Sequence, residues 1–351
     1  MTPASANPGT GTTPHTSEKH MKLLVTGGLG FIGSNFVHHM LNKHDDIQIT
    51  NIDKLSIGSN PENLKDIETD KRYTLVKGDI ANKDLIKNLV KEADAIVNIA
   101  AETHVDRSIA DPWIFLNSNT MGAVTLFETA KNHDKRVLHV STDEVYGDIL
   151  EGSFKETDRL NPSSPYSASK AAADLFAQAY HRTYNLDIVT VRCTNNYGPY
   201  QFPEKLIPKT IIRLLLNQTV PIYGKGTNIR DWIYVQDFCE AIDIALTKGK
   251  SGEIYNVSAS NELTNITIAK TILKLMDKPE NAINFVEDRP GHDLRYSLDS
   301  SKIRNELKWK PKYNFNEAIK TTIDWYKNNE KWWKPLATEQ ILHPTPWKLK
   351  W

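Results

Sequence analysis

The sequence of 351 residues contains only two cysteines, Cys193 and Cys239, and they do not form a Cys-x-x-Cys pair. This scarcity argues against a disulfide scaffold and a cysteine-ligated metal site, and it favours a reducing, cytoplasmic compartment. No apolar run approaches the ~20 residues of a transmembrane helix, so no membrane partner is expected. Charge of one sign is not in excess either, because 43 Lys and Arg balance 43 Asp and Glu. The sequence therefore lacks the electrostatic footprint of a nucleic-acid-binding protein.

The first twenty residues (MTPASANPGTGTTPHTSEKH) have no apolar centre of the kind that a secretory signal carries. They are rich in Pro, Gly, Thr and Ser, which bury too little surface to offset the entropy of ordering. We therefore predict a disordered tail at 1–20.

Beyond residue 21, short apolar runs alternate with stretches of helical periodicity. The apolar runs predict strands at 22–26, 47–53, 73–79, 95–100, 136–142 and 187–193. The stretches between them predict helices at 31–43, 82–92, 112–131 and 165–184. This alternation is typical of an α/β fold with a doubly wound parallel sheet, the Rossmann fold, whose ligands bind at the carboxyl ends of the strands.

The rhythm changes after about residue 195, where prolines and isolated strands become more frequent. We interpret 21–194 as a dinucleotide-binding domain and 195–327 as mainly a smaller, discontinuous substrate lobe, part of which returns to the sheet. The remaining segment, 328–351, holds four of the eight tryptophans. We expect this C-terminal extension to pack over the body or at a subunit contact, because so many exposed indoles would promote association.

A glycine-rich loop (TGGLGFIGSNF) follows the first predicted strand and opens the first predicted helix. Its glycines fit G-x-x-G-x-x-G at Gly27, Gly30 and Gly33, or G-x-G-x-x-G beginning at Gly28. Both patterns allow a backbone to approach a pyrophosphate at a helix N-terminus. Asp53 follows Gly33 by 20 residues, where a carboxylate binds the ribose of NAD and repels the 2′-phosphate of NADP. The adjacent Lys54, in contrast, would favour NADP, because its positive charge attracts the 2′-phosphate.

Tyr166 and Lys170 are four residues apart in PYSASK, so both lie on one face of a predicted helix. An ammonium near a phenol favours the phenolate and lowers the pKa of the tyrosine. Such a tyrosine can take the proton of a sugar hydroxyl while NAD accepts hydride from the same carbon. Thr142, Asp143 and Glu144 follow the fifth predicted strand and supply two adjacent carboxyl groups.

Three histidines of the first predicted helix, His38, His39 and His44, have spacings of one and five residues. These spacings place no pair well on one face for a metal ion, so we expect a solvated helix surface there and predict no metal site.

Several longer strings carry a family resemblance: AAETHVDRSI, STDEVYG, RCTNNYGPYQFPEKLIP, GKGTNIRDWIYVQD and DRPGHDLRYSLD. Together with the glycine loop and Tyr-x-x-x-Lys, they resemble the nucleotide-sugar 4,6-dehydratases of the dTDP-glucose type, within the extended short-chain dehydrogenase/reductase family. The similarity covers about residues 21–327.

The resemblance implies an enzyme that eliminates water from a nucleotide-diphosphate glucose, with Asp143 as general acid and Glu144 as general base. Thr142, Tyr166 and Lys170 complete the implied catalytic set. The implied NAD-binding residues are Gly27, Gly30, Phe31, Ile32, Gly33, Asp53, Lys54, Asp79, Ile80, Ala100, Ala101, Ser118, Tyr166 and Lys170. The implied substrate-binding residues are Thr103, Thr142, Asn195, Lys205, Leu206, Pro221, Tyr223, Arg230, Asn265, Arg289 and His292. The resemblance also implies a homodimer through helices 112–131 and 165–184.

Three alternatives stay open at the level of sequence. The nucleotide base is undetermined among dTDP, UDP and CDP. A 4-epimerase or decarboxylase on the same scaffold is disfavoured by the pair Asp143 and Glu144, because neither needs the two additional proton transfers of a dehydration. A non-catalytic NAD-binding protein is disfavoured by the presence of Thr142, Tyr166 and Lys170.

Overall fold

The computed structural model describes residues 21–351, so the tail predicted at 1–20 lies outside the described residues. The strands, in chain order, are β1 (Met21–Thr26), β2 (Ile47–Asp53), β3 (Tyr73–Lys77), β4 (Ala95–Asn98), β5 (Arg136–Thr142), β6 (Ile188–Cys193), β7 (Asn195–Tyr197), β8 (Val220–Tyr223), β9 (Ile229–Tyr234), β10 (Ile254–Val257), β11 (Glu262–Thr264) and β12 (Ile283–Val286). The α-helices are α1 (Phe31–Lys43), α2 (Lys83–Glu92), α3 (Val105–Ala110), α4 (Trp113–Phe115), α5 (Gly122–Asn132), α6 (Pro165–Tyr184), α7 (Leu206–Leu215), α8 (Val235–Lys248), α9 (Asn265–Leu275), α10 (Ser301–Glu306), α11 (Phe315–Asn328) and α12 (Glu330–Trp333).

Seven strands form one parallel sheet in the order β10-β6-β5-β4-β1-β2-β3. The order reverses between β1 and β4, which creates the crevice where ligands of doubly wound sheets bind. This arrangement confirms the predicted Rossmann fold. The seventh strand, β10, comes from the second half of the chain, about 60 residues after β6.

Apolar helix faces cover both sides of the sheet, and this is why the central strands β4, β5 and β6 are buried along almost their whole length. On one side, Phe36 of α1 and Phe238 of α8 are fully buried in the same core. On the other side, α2, α5 and α6 contribute a second core that includes Phe127 and Ala173. Among the residues described, no helix combines the length and apolarity needed to cross a bilayer.

A third core lies in the second half of the chain and is built from α7, α9 and α11 on the short strands β8 and β9. β8 pairs in parallel with β12, and β9 lies between β7 and β11. Trp333 and Leu342, from the tryptophan-rich end, are buried in this core. The C-terminal segment therefore packs against the smaller lobe, while the domain boundaries given above stay a proposal.

The predicted helix at 112–131 differs from the structure, where α4 and α5 are joined by a π-helical turn at Leu116–Met121. Side-chain bonds from other segments hold this wide turn. Asn119 accepts from the backbone N–H of Glu102 and donates to Ser169, and Thr120 donates to the Ser169 carbonyl. Because these bonds are tertiary, helical periodicity does not reveal the turn. π-turns are frequent at functional sites.

The histidines in α1 and directly after it do not form the solvated surface that the sequence suggested. His39 and His44 both lie within hydrogen-bond distance of the buried Asp243 carboxylate on α8, at 3.1 and 3.2 Å. Lys43 donates to the same oxygen at 2.7 Å. Because Asp243 comes from a helix 200 residues away in the chain, the histidine spacing alone gives no sign of this interhelical contact.

Candidate active site

One long cleft runs along the carboxyl ends of the parallel strands. Residues that the sequence assigned to cofactor, catalysis or substrate line it together: Gly27, Gly30, Phe31, Ile32, Gly33, Asp53, Lys54, Asp79, Ile80, Ala100, Ala101, Thr103, Ser118, Thr142, Asp143, Glu144, Tyr166, Lys170, Asn195 and Lys205. The fold thus brings every proposed cofactor and catalytic residue to a single cavity.

The glycine loop forms one end of this cleft. Gly27 has a φ of +72°, and a Cβ there would lie 2.6 Å from the Cα of Ala100. At Gly33 a Cβ would lie 2.1 Å from the carbonyl oxygen of Gly27. Gly28 instead packs on Asn51, to which its N–H donates at 2.9 Å. Of the two possible patterns, the one at Gly27, Gly30 and Gly33 is therefore the one that lines the cleft.

Helix α1 begins at the cleft with its N-terminal N–H groups uncapped by any side chain and with no acidic residue in its first turn. Unpaired N–H groups and the positive end of a helix dipole attract an anionic group such as a pyrophosphate. This end of the cleft suits the phosphates of a dinucleotide.

Asp53 and Lys54 lie next to one another at the end of β2 but have different partners. Asp53 accepts hydrogen bonds from the N–H groups of Leu29 and Leu55 at 3.0 and 2.8 Å. Lys54 donates to Ser118 in the π-turn and pairs with Glu102 at 3.1 Å. Because Glu102 and Ser118 bind the Lys54 ammonium, Lys54 is less available to bind the 2′-phosphate of NADP.

The two carboxyl groups follow β5 in a short 3₁₀ turn, Asp143–Tyr146, that Thr142 caps. The Thr142 hydroxyl donates to Asp143 Oδ1 at 3.0 Å and accepts from the N–H of Glu144 at 3.3 Å. Asp143 Oδ2 is buried and has no hydrogen-bond partner within the described part of the chain. A buried oxygen without a partner is costly unless it is protonated or meets a ligand.

The surroundings of Asp143 and Glu144 differ in electrostatics. Burial, together with the neighbouring Glu144 charge, raises the pKa of Asp143 to about 8. Burial also raises the pKa of Glu144, but the positive charges of Arg289, Arg230 and Lys205 oppose that rise. Asp143 is therefore suited to hold a proton at neutral pH, and Glu144 is better suited to lose one.

Tyr166 and Lys170 lie in the first two turns of α6, which Ser164 and Ser167 start with a reciprocal capping box. Lys170 donates to the carbonyl of Val140 at 2.7 Å. Burial and the nearby Glu144 charge raise the pKa of Tyr166 well above its usual value. The groups of the protein alone therefore do not produce the lowered tyrosine pKa that the sequence suggested.

The other proposed substrate residues are not on the wall of the cleft: Leu206, Pro221, Tyr223, Arg230, Asn265, Arg289 and His292. They come from α7, β8, β9, α9 and the loop after β12. Arg289 and Arg230 nevertheless lie close enough to Glu144 to oppose the rise of its pKa that burial causes. Tyr223 and Arg289 meet at Asp106, and the Tyr223 ring contacts the ring of His292 edge-on. The structure gives Leu206, Pro221 and Asn265 no comparable contact in this group.

A buried ionic network beside the cleft was not predicted from the sequence. Arg107 pairs with Glu102 at 3.1 Å and with Glu204 at 3.2 Å, and all three side chains are almost fully buried. Asp106 is 1% exposed and accepts from Arg289 at 2.9 Å. The string ETHVDR contains Glu102, Asp106 and Arg107 within six positions. This cluster of charged residues was the sign in the sequence that could have indicated the network.

Residues 24–322 match the family model described as GDP-mannose 4,6 dehydratase. The chain is 48% identical over 331 residues to a dTDP-glucose 4,6-dehydratase of Streptomyces niveus, an alignment that covers 93% of this chain and 98% of that protein. It is 46% identical to a Mycobacterium tuberculosis protein of the same name, over 91% of this chain and 98% of the other.

Solved structures give the same result. The crystal structure of DesIV, a dTDP-glucose 4,6-dehydratase from Streptomyces venezuelae with NAD and TYD bound, is 46% identical, with a TM-score of 0.88. The alignment covers 90% of this chain and 100% of that one. A UDP-glucuronic acid 4-epimerase from Bacillus cereus has a similar backbone, with a TM-score of 0.83, but is 27% identical.

Proposed function

The chain belongs to the dTDP-glucose 4,6-dehydratases of the extended short-chain dehydrogenase/reductase family, and on this premise we propose how its residues share the work of the reaction. The enzyme is an NAD-dependent hydro-lyase that converts a nucleotide-diphosphate glucose, dTDP-glucose, to the 4-keto-6-deoxy sugar. The observation that carries this function is the pair Asp143 and Glu144 beside Tyr166 on one cleft wall.

The residues of the cleft fit NAD. A Cβ at Gly27 or Gly33 would collide with backbone, so only glycine permits the tight loop, and the uncapped start of α1 suits a pyrophosphate. Asp53 would bind the adenosine ribose, and Phe31, Ile32 and Ile80 offer apolar surface. When bound, NAD supplies an acceptor for the hydride from C4 and a donor that returns hydride to C6.

Tyr166 takes the proton of the 4-hydroxyl group, with the Thr142 hydroxyl beside it and the Lys170 ammonium on the next helical turn. Oxidation at C4 makes the proton on C5 acidic, because the resulting carbanion is conjugated with the ketone. Glu144 removes that proton, and Asp143 gives its proton to the C6 hydroxyl group, which leaves as water. Glu144 then returns a proton to C5 as hydride is added at C6. The high pKa of Asp143 supports this division of roles, since it keeps the acid protonated near pH 7.

Lys205 on the cleft wall and the nearby Arg289 and Arg230 give this part of the site a positive charge, which suits the diphosphate of a nucleotide sugar. The same charges support Glu144 as the base, because they favour its ionised form. The same three cationic residues would therefore both bind the diphosphate and favour the ionised form of Glu144.

A 4-epimerase is the second candidate, because a 4-epimerase has a similar backbone. Epimerisation needs only proton and hydride transfer at C4 and leaves no role for a protonated Asp143. The identity of 48% with a dTDP-glucose 4,6-dehydratase also favours dehydration.

We further propose a homodimer. The helical segment 113–121 and helix α6 pack side by side and leave large apolar side chains exposed, among them Trp113 at 75%, Met121 at 52% and Leu175 at 56%. An apolar face of this kind is typical of a subunit interface. The cytoplasm is the compartment we propose, and the two free, buried cysteines are compatible with it.

The test of the function is a screen of dTDP-, UDP-, CDP- and GDP-glucose, with formation of the 4-keto-6-deoxy product measured by mass spectrometry. We expect dTDP-glucose to lose one water and to give the highest kcat/KM. A product of unchanged mass with inverted C4 would instead identify an epimerase.

A further inference from the structure

The tryptophan-rich end of the chain lies outside the matched family model, which stops at residue 322. Its last six residues, 346–351, are called the C-terminal brace here. We propose that the C-terminal brace positions Tyr223 and Arg289 through their shared partner Asp106, and so sets the affinity for the nucleotide diphosphate. This inference deepens the proposed function and rests on it for the identity of the ligand.

Asp106 is the point where two substrate-lobe residues meet. The Tyr223 hydroxyl donates to Asp106 Oδ2 at 2.8 Å, and Arg289 donates to Oδ1 at 2.9 Å. Although burial acts in the opposite direction, nearby His104 and Arg289 lower the pKa of Asp106 to about 2. The buried carboxylate thus stays charged and fixes the orientation of one phenol and one guanidinium.

Arg289 keeps donor capacity for a ligand. Its Nε is buried and has no hydrogen-bond partner among the residues described. A guanidinium carries five N–H donors, and the contact with Asp106 occupies only part of them. Since an unsatisfied buried donor is unfavourable, the arginine is poised to bind an anionic oxygen.

The brace contacts each of the three segments that converge on Asp106. The Trp347 ring packs edge-on against the Tyr223 ring, with centroids 4.9 Å apart and planes at 81°. Lys348 pairs with Glu287, two residues before Arg289. The guanidinium of Arg107, the residue after Asp106, lies 5.7 Å from the centre of the Trp351 ring.

The segment directly before the brace is held in place by the smaller lobe. Arg213 of α7 donates to the carbonyl of Leu342 at 2.8 Å, and Lys209 donates to that of His343 at 3.2 Å. The Trp351 indole donates to the Pro346 carbonyl at 3.0 Å and closes the last turn of chain. Trp347 is consequently 8% exposed although it lies near the C-terminus.

The position of the brace predicts which function it affects. Of the described residues that line the cleft, none comes from 346–351. Loss of Trp347 would free the Tyr223 ring and weaken the geometry at Asp106, but it would leave the glycine loop, Tyr166 and the carboxyl pair in place. The effect should therefore fall on nucleotide binding, with little change in NAD content or in turnover at saturating substrate.

The experiment titrates the full-length, NAD-containing protein with dTDP, with UDP and CDP as parallel probes, by isothermal calorimetry. Loss of one aromatic pair should raise the Kd of the best-bound nucleotide about three- to tenfold in Trp347→Ala. Trp347→Phe keeps an aromatic edge against Tyr223 and should recover most of the affinity. Trp332→Ala is the matched control, because Trp332 is also a partly buried indole of the same segment but packs on Tyr200 and Trp325.

Steady-state kinetics then separate positioning from general destabilisation. In Trp347→Ala, KM for the sugar nucleotide should rise by the same factor as the Kd, while kcat stays within about twofold of the wild type. The proposal is overturned if Trp347→Ala binds the nucleotide like the wild type, if Trp332→Ala weakens binding equally, or if kcat falls while Kd is unchanged. Because the calorimetric test needs no turnover, it holds even if the wild type fails to dehydrate dTDP-glucose, which would contradict the proposed function alone.

Discussion

Asp143 and Glu144 are neighbours in the chain, and burial raises the pKa of both, but their electrostatic surroundings differ. Asp143 is 3% exposed, receives a hydrogen bond from Thr142, and has its pKa raised to about 8. Glu144 faces the positive charges of Arg289, Arg230 and Lys205. This difference is the physical basis for assigning one residue as acid and the other as base.

Removing either carboxyl group should separate oxidation from elimination. We expect Asp143→Asn and Glu144→Gln to keep NAD and to oxidise C4, but to lose at least ~10²-fold in overall dehydration, the usual cost of losing a general acid or base. The measurement combines NADH absorbance after addition of the sugar with the rate of 4-keto-6-deoxy product. The exposed Glu151 provides a control in Glu151→Gln. Near-wild-type dehydration in both variants would favour an epimerase.

The high pKa of Asp143 also predicts how stability depends on pH. Its folded pKa, about 8, lies above the ordinary value of 3.8, so the folded state binds an additional proton between these values. Stability therefore falls as the pH rises through this window, by up to ~1.4 kcal/mol per pH unit for one proton. Asp143→Asn removes that dependence.

Urea denaturation at pH 5, 7 and 8 would measure this effect. We expect Asp143→Asn to gain in free energy of unfolding, relative to the wild type, as the pH is raised. Parallel stability curves for the two proteins would show that Asp143 is not protonated in the folded state.

We propose that Asp53 determines the choice of dinucleotide. A 2′-phosphate would place negative charge against Asp53, while Glu102 and Ser118 hold Lys54. We expect NAD to be preferred over NADP by on the order of 1–3 kcal/mol, and Asp53→Ala to reduce that preference. Affinities measured by calorimetry on cofactor-stripped protein test this, and equal affinities in the wild type would contradict it.

At the scale of elements, helices α1 and α8 are joined through Asp243. Burial alone would raise the pKa of this carboxyl, but hydrogen bonds from His39, Lys43 and His44 lower it below its ordinary value. A depressed folded pKa means that the contact stabilises the protein above about pH 4 and that this contribution is lost as the pH falls further.

Asp243→Asn should lower the free energy of unfolding by roughly 1–3 kcal/mol at pH 7, because it removes the buried partner of three donors. The difference from the wild type should shrink below about pH 4, because there the unfolded wild-type chain takes up a proton on Asp243 while the folded carboxyl stays charged. Asp66→Asn is the matched control, since Asp66 also contacts a histidine of α1 but its side chain is 64% exposed. An equal loss in both variants would show that burial of Asp243 is unimportant.

At the scale of the whole molecule, the exposed apolar face on 113–121 and α6 predicts assembly. The chain mass is 39.8 kDa, so a homodimer should sediment at about 80 kDa at micromolar concentration. Leu175→Glu places a charge in this face and should give a species of about 40 kDa. Leu75→Glu, on the edge strand β3, changes an exposed leucine elsewhere and should stay dimeric. A wild-type mass of about 40 kDa would contradict the proposal.

The sequence by itself determined features that depend on neighbours in the chain. The glycine spacing, the four-residue step from Tyr166 to Lys170 and the adjacency of Asp143 and Glu144 follow from local geometry. Alternating apolar runs likewise predicted the Rossmann sheet, because strands buried on both faces must be apolar throughout.

Only the tertiary structure determined the pKa values of those residues and the distant residues that contact them. The pKa of Glu144 depends on burial and on charges such as Arg289, which lies more than a hundred residues away. Asp106 meets Tyr223 and Arg289 across separations of 117 and 183 residues. Electrostatic and packing energies depend on distance in space, and sequence spacing defines that distance only within a helix, a strand or a turn.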